Sequence, residues 1–129
     1  MSAPVVEYFP LPERLRLPFS EAVQVGPMLY LSGQMGIDES GHLVPGGIVP
    51  ETRQTLENVR RVLESHGSSL HRVVKCTVMM ADMAEWRTMN GVYREFFTAK
   101  LPARSAFGAS GLALGGRVEI EVMALVGEG

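Results

Sequence analysis

Apolar and polar positions change period twice along this chain, and the changes mark out its elements. Ala22 to Val25 and Met28 to Ser32 are β-like runs on either side of Gly26-Pro27, a turn-forming pair, so a hairpin is expected. Residues 36–47, with their glycines, Asp38, Ser40 and Pro45, read as a second turn region or loop. Helical spacing then takes over. Leu56, Val59, Val62 and Leu63 form one stripe, Pro50 suits a first turn and Gly67 a stop. Val73 to Met80 returns to strand character. Asp82 with Glu85 three residues on resembles a capping box, opening a second helix that carries Met89, Val92, Tyr93, Phe96 and Phe97 and ends before Pro102. Two strands close the chain, around residues 104–109 and 117–126. Residues 1–17 are proline-rich and weakly patterned, an arm with room for one short strand, and residues 18–129 make up a single domain.

The element order is therefore β-β-(β)-α-β-α-β-β. That is an α+β pattern with two helices packed on one face of a mixed sheet. The last strand adds a clue to assembly. Val118, Ile120, Val122, Ala124 and Val126 share a face that belongs under the helices, while Glu119, Glu121, Met123 and Leu125 share the other. A solvent face would not normally end in Met and Leu, and two helices cannot cover both sides. Cover from a second subunit is expected.

Charge and composition narrow the function classes. A net charge of −2 over 129 residues gives no basic stripe for gripping phosphates, so no nucleic-acid partner is expected. Arg60-Arg61, an adjacent cationic pair, reads as a solvated helix face. The lone Cys76 excludes an intrachain disulfide, suits a reducing compartment, and lies in a strand where it reads as a small core residue. No run approaches the roughly twenty apolar residues of a membrane span, and the N-terminus shows no basic-then-apolar leader pattern. A cytoplasmic protein is expected. His42, His66 and His71 lie in turns or at a helix end without ligands at metal spacing, and read as surface residues with no metal site. The methionines and Trp86 read as core and interface filling, and Gly46-Gly47 lacks the lysine-serine ending of a phosphate loop.

One pair of groups carries chemistry: Arg104, in Pro102-Ala103-Arg104-Ser105, and Glu119, in the alternating run Arg117 to Val122. An arginine fork holds carboxylates, and a strand carboxyl group steers protons or water. Their short spacing suggests neighbouring strands that bring the side chains close. A structural ion pair between the two satisfies the same pattern, because a partly buried glutamate needs a partner or a proton. Glu121, two residues on, reads as a structural or rim carboxylate.

Pro18-Phe19-Ser20-Glu21-Ala22, Leu31-Ser32-Gly33-Gln34, Thr52 to Asn58, Asn90-Gly91-Val92-Tyr93 with Phe96-Phe97, Pro102 to Ser105 and Val118 to Glu121 follow one another along residues 18–126. In that order and spacing they resemble the Rid (YjgF-type) family of reactive intermediate deaminases, also called endoribonuclease L-PSP or translation inhibitor proteins. The resemblance implies a chorismate-mutase-like α+β fold, a homotrimer with clefts between subunits, and hydrolysis of imines and enamines such as 2-aminoacrylate to 2-keto acids and ammonia. It implies no metal and no organic cofactor. Matched by position, Arg104 holds the substrate carboxylate and Glu119 positions water and moves protons. Ser32 and Gly33 line the cleft, Asn90 forms a polar wall, Ser105 and Ala106 follow the arginine as further substrate-binding residues, and Phe19, also substrate-binding, comes from the neighbouring subunit. Phe19 stands where the best-studied deaminases of the family have tyrosine, and Ala106 where some members have cysteine. The ligand implied is a small imine, enamine or keto acid. A non-enzymatic small-carboxylate sensor or chaperone-like regulator is the alternative. Endoribonuclease activity is a further one, although the basic groove it would use is missing from the sequence.

Overall fold

The computed structural model describes residue 3 and residues 5–127. Residues 1, 2 and 4 of the expected arm, and 128–129 of the expected domain, lie outside that range. Seven strands and two helices appear in the order β1 (Val6–Pro10), β2 (Ser20–Val25), β3 (Met28–Leu31), β4 (Gln34–Met35), α1 (Ile48–Ser65), β5 (Val73–Met80), α2 (Trp86–Phe96), β6 (Ala103–Gly108) and β7 (Val118–Leu125). This is the expected α+β order, with β1 supplied by the N-terminal stretch.

All strands join one sheet in the order β1-β2-β3-β7-β5-β6, with β4 also paired to β7. Every pairing is antiparallel except β5 with β6, which α2 links as a crossover. Gly26 takes a left-handed conformation (φ 56°) in the β2–β3 turn, where a side chain would be strained. Alternation on β7 works as its sequence suggests. Val118, Ile120, Val122 and Ala124 are buried under the helices with Cys76, Val78 and Met80 of β5 and Leu29 and Leu31 of β3. Leu56, Val59, Val62 and Leu63 of α1 and Met89 and Tyr93 of α2 close this layer. Full burial of each large aliphatic side chain contributes about 1.5–3 kcal/mol, so this single layer carries most of the fold's stability.

Two details of helix entry depart from the sequence reading. The expected capping box does not form: the Asp82 side chain accepts from the N–H of Ala84 and starts a short 3-10 turn, Met83–Glu85, ahead of α2. Glu85 is drawn away to accept from Arg117 Nη1 at 2.9 Å, because the loop before β7 passes beside it. Arg117 in turn gives its backbone N–H to the buried carboxylate of Glu51 at 2.8 Å, which fixes where β7 begins.

Among the described residues no element covers the far face of the sheet. Tyr30 is 40% exposed, Phe107 48% and Met123 37%, on a face that also presents Met79, Leu125 and Val23. No helix among the described residues is long and apolar enough to cross a membrane.

Candidate functional site

Arg104 and Glu119 do not meet within one chain. They were expected on neighbouring strands, but β5 lies between β6 and β7, so two strand spacings separate them. Arg104 is in register with Cys76 and Val122, whereas Glu119 is opposite Met79, and Met79 is in register with Phe107. Strand spacing and rise then put their Cα atoms roughly 14 Å apart. The faces also differ. Arg104 shares the helix face with buried Cys76, while Glu119, an odd-numbered β7 residue, shares the uncovered one. No intrachain ion pair links them. Strand order is a tertiary property, and short separation in sequence did not reveal the intervening strand.

The arginine half is built by α2 and β6. Arg104 Nη1 donates to Oδ1 of buried Asn90 at 2.8 Å, and the guanidinium lies over the Tyr93 ring at 4.7 Å and the Trp86 ring at 5.9 Å. Trp86, Asn90 and Tyr93 recur at i, i+4 and i+7, so one helical stripe forms the whole bed. A cavity of about 280 Å³ opens here, walled also by Arg94, Phe97, Leu101 and Pro102. Among the described residues no carboxylate pairs with Arg104, which leaves most of its five N–H donors available for a ligand. Burial, and then the Cys76 thiol beside it, push the Tyr93 hydroxyl far above the ordinary phenol range. It serves here as a neutral wall. Trp86 reads from the sequence as core and interface filling, although its helical spacing to Asn90 and Tyr93 is visible there.

The glutamate half is built where strands bulge. Between the pairs Tyr30–Met123 and Gln34–Ile120 the β3–β4 side advances four residues against three on β7, so one extra residue is accommodated around Leu31–Gly33. Gly33 lies in this irregularity against the Glu119 carboxyl group: a Cβ there would strike Oε2 and lie 2.9 Å from Cδ. Ser32 Oγ donates to the Ser20 carbonyl at 2.6 Å, which ties this bulge to the start of β2, beside half-exposed Phe19. Desolvation, and then the negative charge of Glu121, hold the Glu119 carboxyl above the ordinary glutamate range. Glu121 thus acts on Glu119 electrostatically. Gly33→Ala should turn the carboxyl group out of this notch and lower its pKa toward the ordinary value. Carboxyl-carbon NMR titration checks this, and an unchanged midpoint would rule out the notch as the source of shielding.

Ser105 and Ala106 divide between the faces. Ser105 Oγ accepts from Lys75 Nζ at 3.0 Å on the uncovered side, and Ala106 packs against the core. Cys76 is buried, as a small core residue. His66 is not a surface residue: its ring is half-buried, stacked on Phe9 and paired with Glu21. The fold brings these groups together from distant stretches of sequence. His42 and His71 are exposed, and no cluster of three or more His, Cys, Asp or Glu with metal-binding geometry occurs among the described residues.

The endoribonuclease L-PSP family profile matches residues 13–126. The chain is 47% identical over 111 residues to the 2-iminobutanoate/2-iminopropanoate deaminase of Mus musculus, spanning 85% of this chain and 82% of the mouse protein. It is 41% identical over 111 residues to the Homo sapiens protein of the same name, spanning 85% and 81%. The crystal structure of RidA from an Antarctic Psychrobacter bacterium superposes with a TM-score of 0.83 at 33% identity, covering 92% of this chain and 94% of that one. With motifs, sheet and relatives in agreement, this chain belongs to the endoribonuclease L-PSP family, the Rid family that its sequence resembles.

Proposed function

We propose that this chain is a hydrolase of 2-imino acids and their enamine tautomers, 2-aminoacrylate among them, releasing 2-keto acids and ammonia in a cleft between subunits of a homotrimer. The observation that carries this reading is the split site. An arginine that no carboxylate among the described residues pairs with and a glutamate with a raised pKa project from opposite faces of one sheet. A second copy covering the exposed Tyr30–Met123 face would bring its Arg104 to Glu119 and bury the apolar surface at the same time. The names of the mouse and human relatives support the choice of substrate.

The chemistry follows from the groups. Arg104 takes the substrate carboxylate in its fork, which fixes both position and orientation. Glu119, ionised, accepts a proton from water as the water oxygen bonds to the imine carbon, and the C=N electron pair moves to nitrogen. The carboxyl group then gives that proton to nitrogen. The resulting carbinolamine loses ammonia as its hydroxyl proton returns through the same carboxyl group and the C=O bond forms. A carboxyl group with a raised pKa suits both roles, because it holds the proton between the two transfers at lower cost than an ordinary glutamate. No step requires more than a water addition, a proton transfer or the departure of ammonia, so no cofactor is needed. Phe19 would supply an apolar wall to the cleft, with Ser32, Gly33 and Asn90 along its sides.

The test is a coupled assay in which a dehydratase generates 2-aminoacrylate from serine. Pyruvate release should accelerate with added protein. Binding of pyruvate without acceleration would support the carboxylate-sensor reading instead.

A further inference from the structure

We infer that Glu21 and His66 form a positioning pair that sets the glutamate half of the site, holding the two bulges from which Phe19, Ser32 and Gly33 are placed. The catalytic consequence rests on the deaminase reading above. Neither residue touches the proposed reacting atoms. Between Phe9–Ala22 and Pro10–Ser20 the β1–β2 register slips, and Glu21 is the residue left unpaired. Ala22 faces the core, so in a regular strand Glu21 would face the uncovered side. The bulge instead turns it toward α1, where its Oε2 lies 2.9 Å from His66 Nε2.

His66 is well placed for this role. It caps the C-terminus of α1, its backbone N–H bonded to the Leu63 carbonyl at 3.1 Å, so the ring extends from a rigid helix end. The Phe9 ring stacks on it with centroids 4.1 Å apart. The two side chains are only 14% and 25% exposed, for His66 and Glu21 respectively. A carboxylate that far out of water needs a donor, and His66 is the partner supplied. From this pair the restraint passes directly to the site. The Glu21 carbonyl accepts from the Ser32 N–H at 3.0 Å, the preceding Ser20 carbonyl accepts from Ser32 Oγ, and Gly33 follows against Glu119. Phe19 is two residues before Glu21 on the same strand entry.

Glu21→Ala and His66→Ala, assayed as folded protein, should each lower kcat by on the order of 10-fold, since small displacements of positioned groups cost 10-fold or more. KM should stay nearly unchanged, because the Arg104 half is built elsewhere. Glu21→Gln, whose amide oxygen still accepts from Nε2–H, should restore most of the loss, and the double variant should be no worse than either single one. An unchanged kcat in Glu21→Ala and His66→Ala, beside an inactive Glu119→Gln, overturns the inference alone. No acceleration of pyruvate release by wild-type protein overturns the deaminase reading alone, and amide exchange then decides the pair. In His66→Ala the Ser32 N–H should exchange about 10-fold faster while Val78 and Ile120 do not change. Equal Ser32 exchange in variant and wild type overturns the pair whatever the activity.

Discussion

Arg104→Ala should lower kcat/KM for 2-iminopropanoate hydrolysis by about 10²- to 10³-fold, from the loss of two charge-assisted hydrogen bonds to the substrate carboxylate. Arg104→Lys keeps the charge but loses the fork, and should fall between the two. Some destabilisation will accompany the change, because buried Asn90 loses its donor and Tyr93 its cationic neighbour. Thermal melting measured beside the kinetics separates this from the catalytic loss. The split site adds a sharper outcome. Inactive Arg104→Ala and inactive Glu119→Gln subunits, unfolded together and refolded, should recover turnover. Random mixing in a closed ring makes about one quarter of the clefts carry both intact groups. A site contained in one chain would recover nothing, so zero activity in the mixed, correctly assembled protein would sink the inter-subunit cleft.

Glu119→Gln should abolish measurable turnover while leaving pyruvate binding through Arg104 nearly intact, and it should also make the protein more stable above neutral pH. The sign follows from the raised carboxyl pKa. A group whose pKa is higher folded than unfolded favours folding while protonated. That contribution is complete below the ordinary glutamate value and is lost as pH rises through the folded value. Wild-type protein therefore carries an uncomfortable charge at pH 8 that glutamine does not. Melting curves for the two should diverge at pH 8 and converge in acid. Glu121→Gln, which removes the second cause of the shift, should move the acidic limb of the pH–rate profile to lower pH. A profile that ignores Glu121 would show that burial alone sets the titration.

The helices and β7 were legible because burial there follows periodicity. Leu56, Val59, Val62 and Leu63 repeat at helical spacing, and Val118 to Ala124 alternate, so each element declares its inward face. Arg104 and Glu119 stood out because charged groups in apolar strands need a reason. Their relation was not legible. Strand order depends on which edges pair after α2 has crossed over, and nothing in residues 104–119 records that β5 lies between them. Glu21 and His66 were missed for a related reason. They are 45 residues apart, and Glu21 points at α1 only because a bulge interrupts the alternation by which strand residues are assigned to faces.

The crossover has a consequence for how such a protein can change over time. Trp86, Asn90 and Arg104 come from one continuous stretch, residues 86–104, whereas Phe19, Ser32, Gly33 and Glu119 come from the two ends of the chain. If the proposed roles hold, substrate grip and water delivery are written in separate parts of the gene. Drift in residues 86–104 would then alter which acids are held without disturbing the proton relay, and two diverged copies that co-assemble would form hybrid clefts found in neither parent.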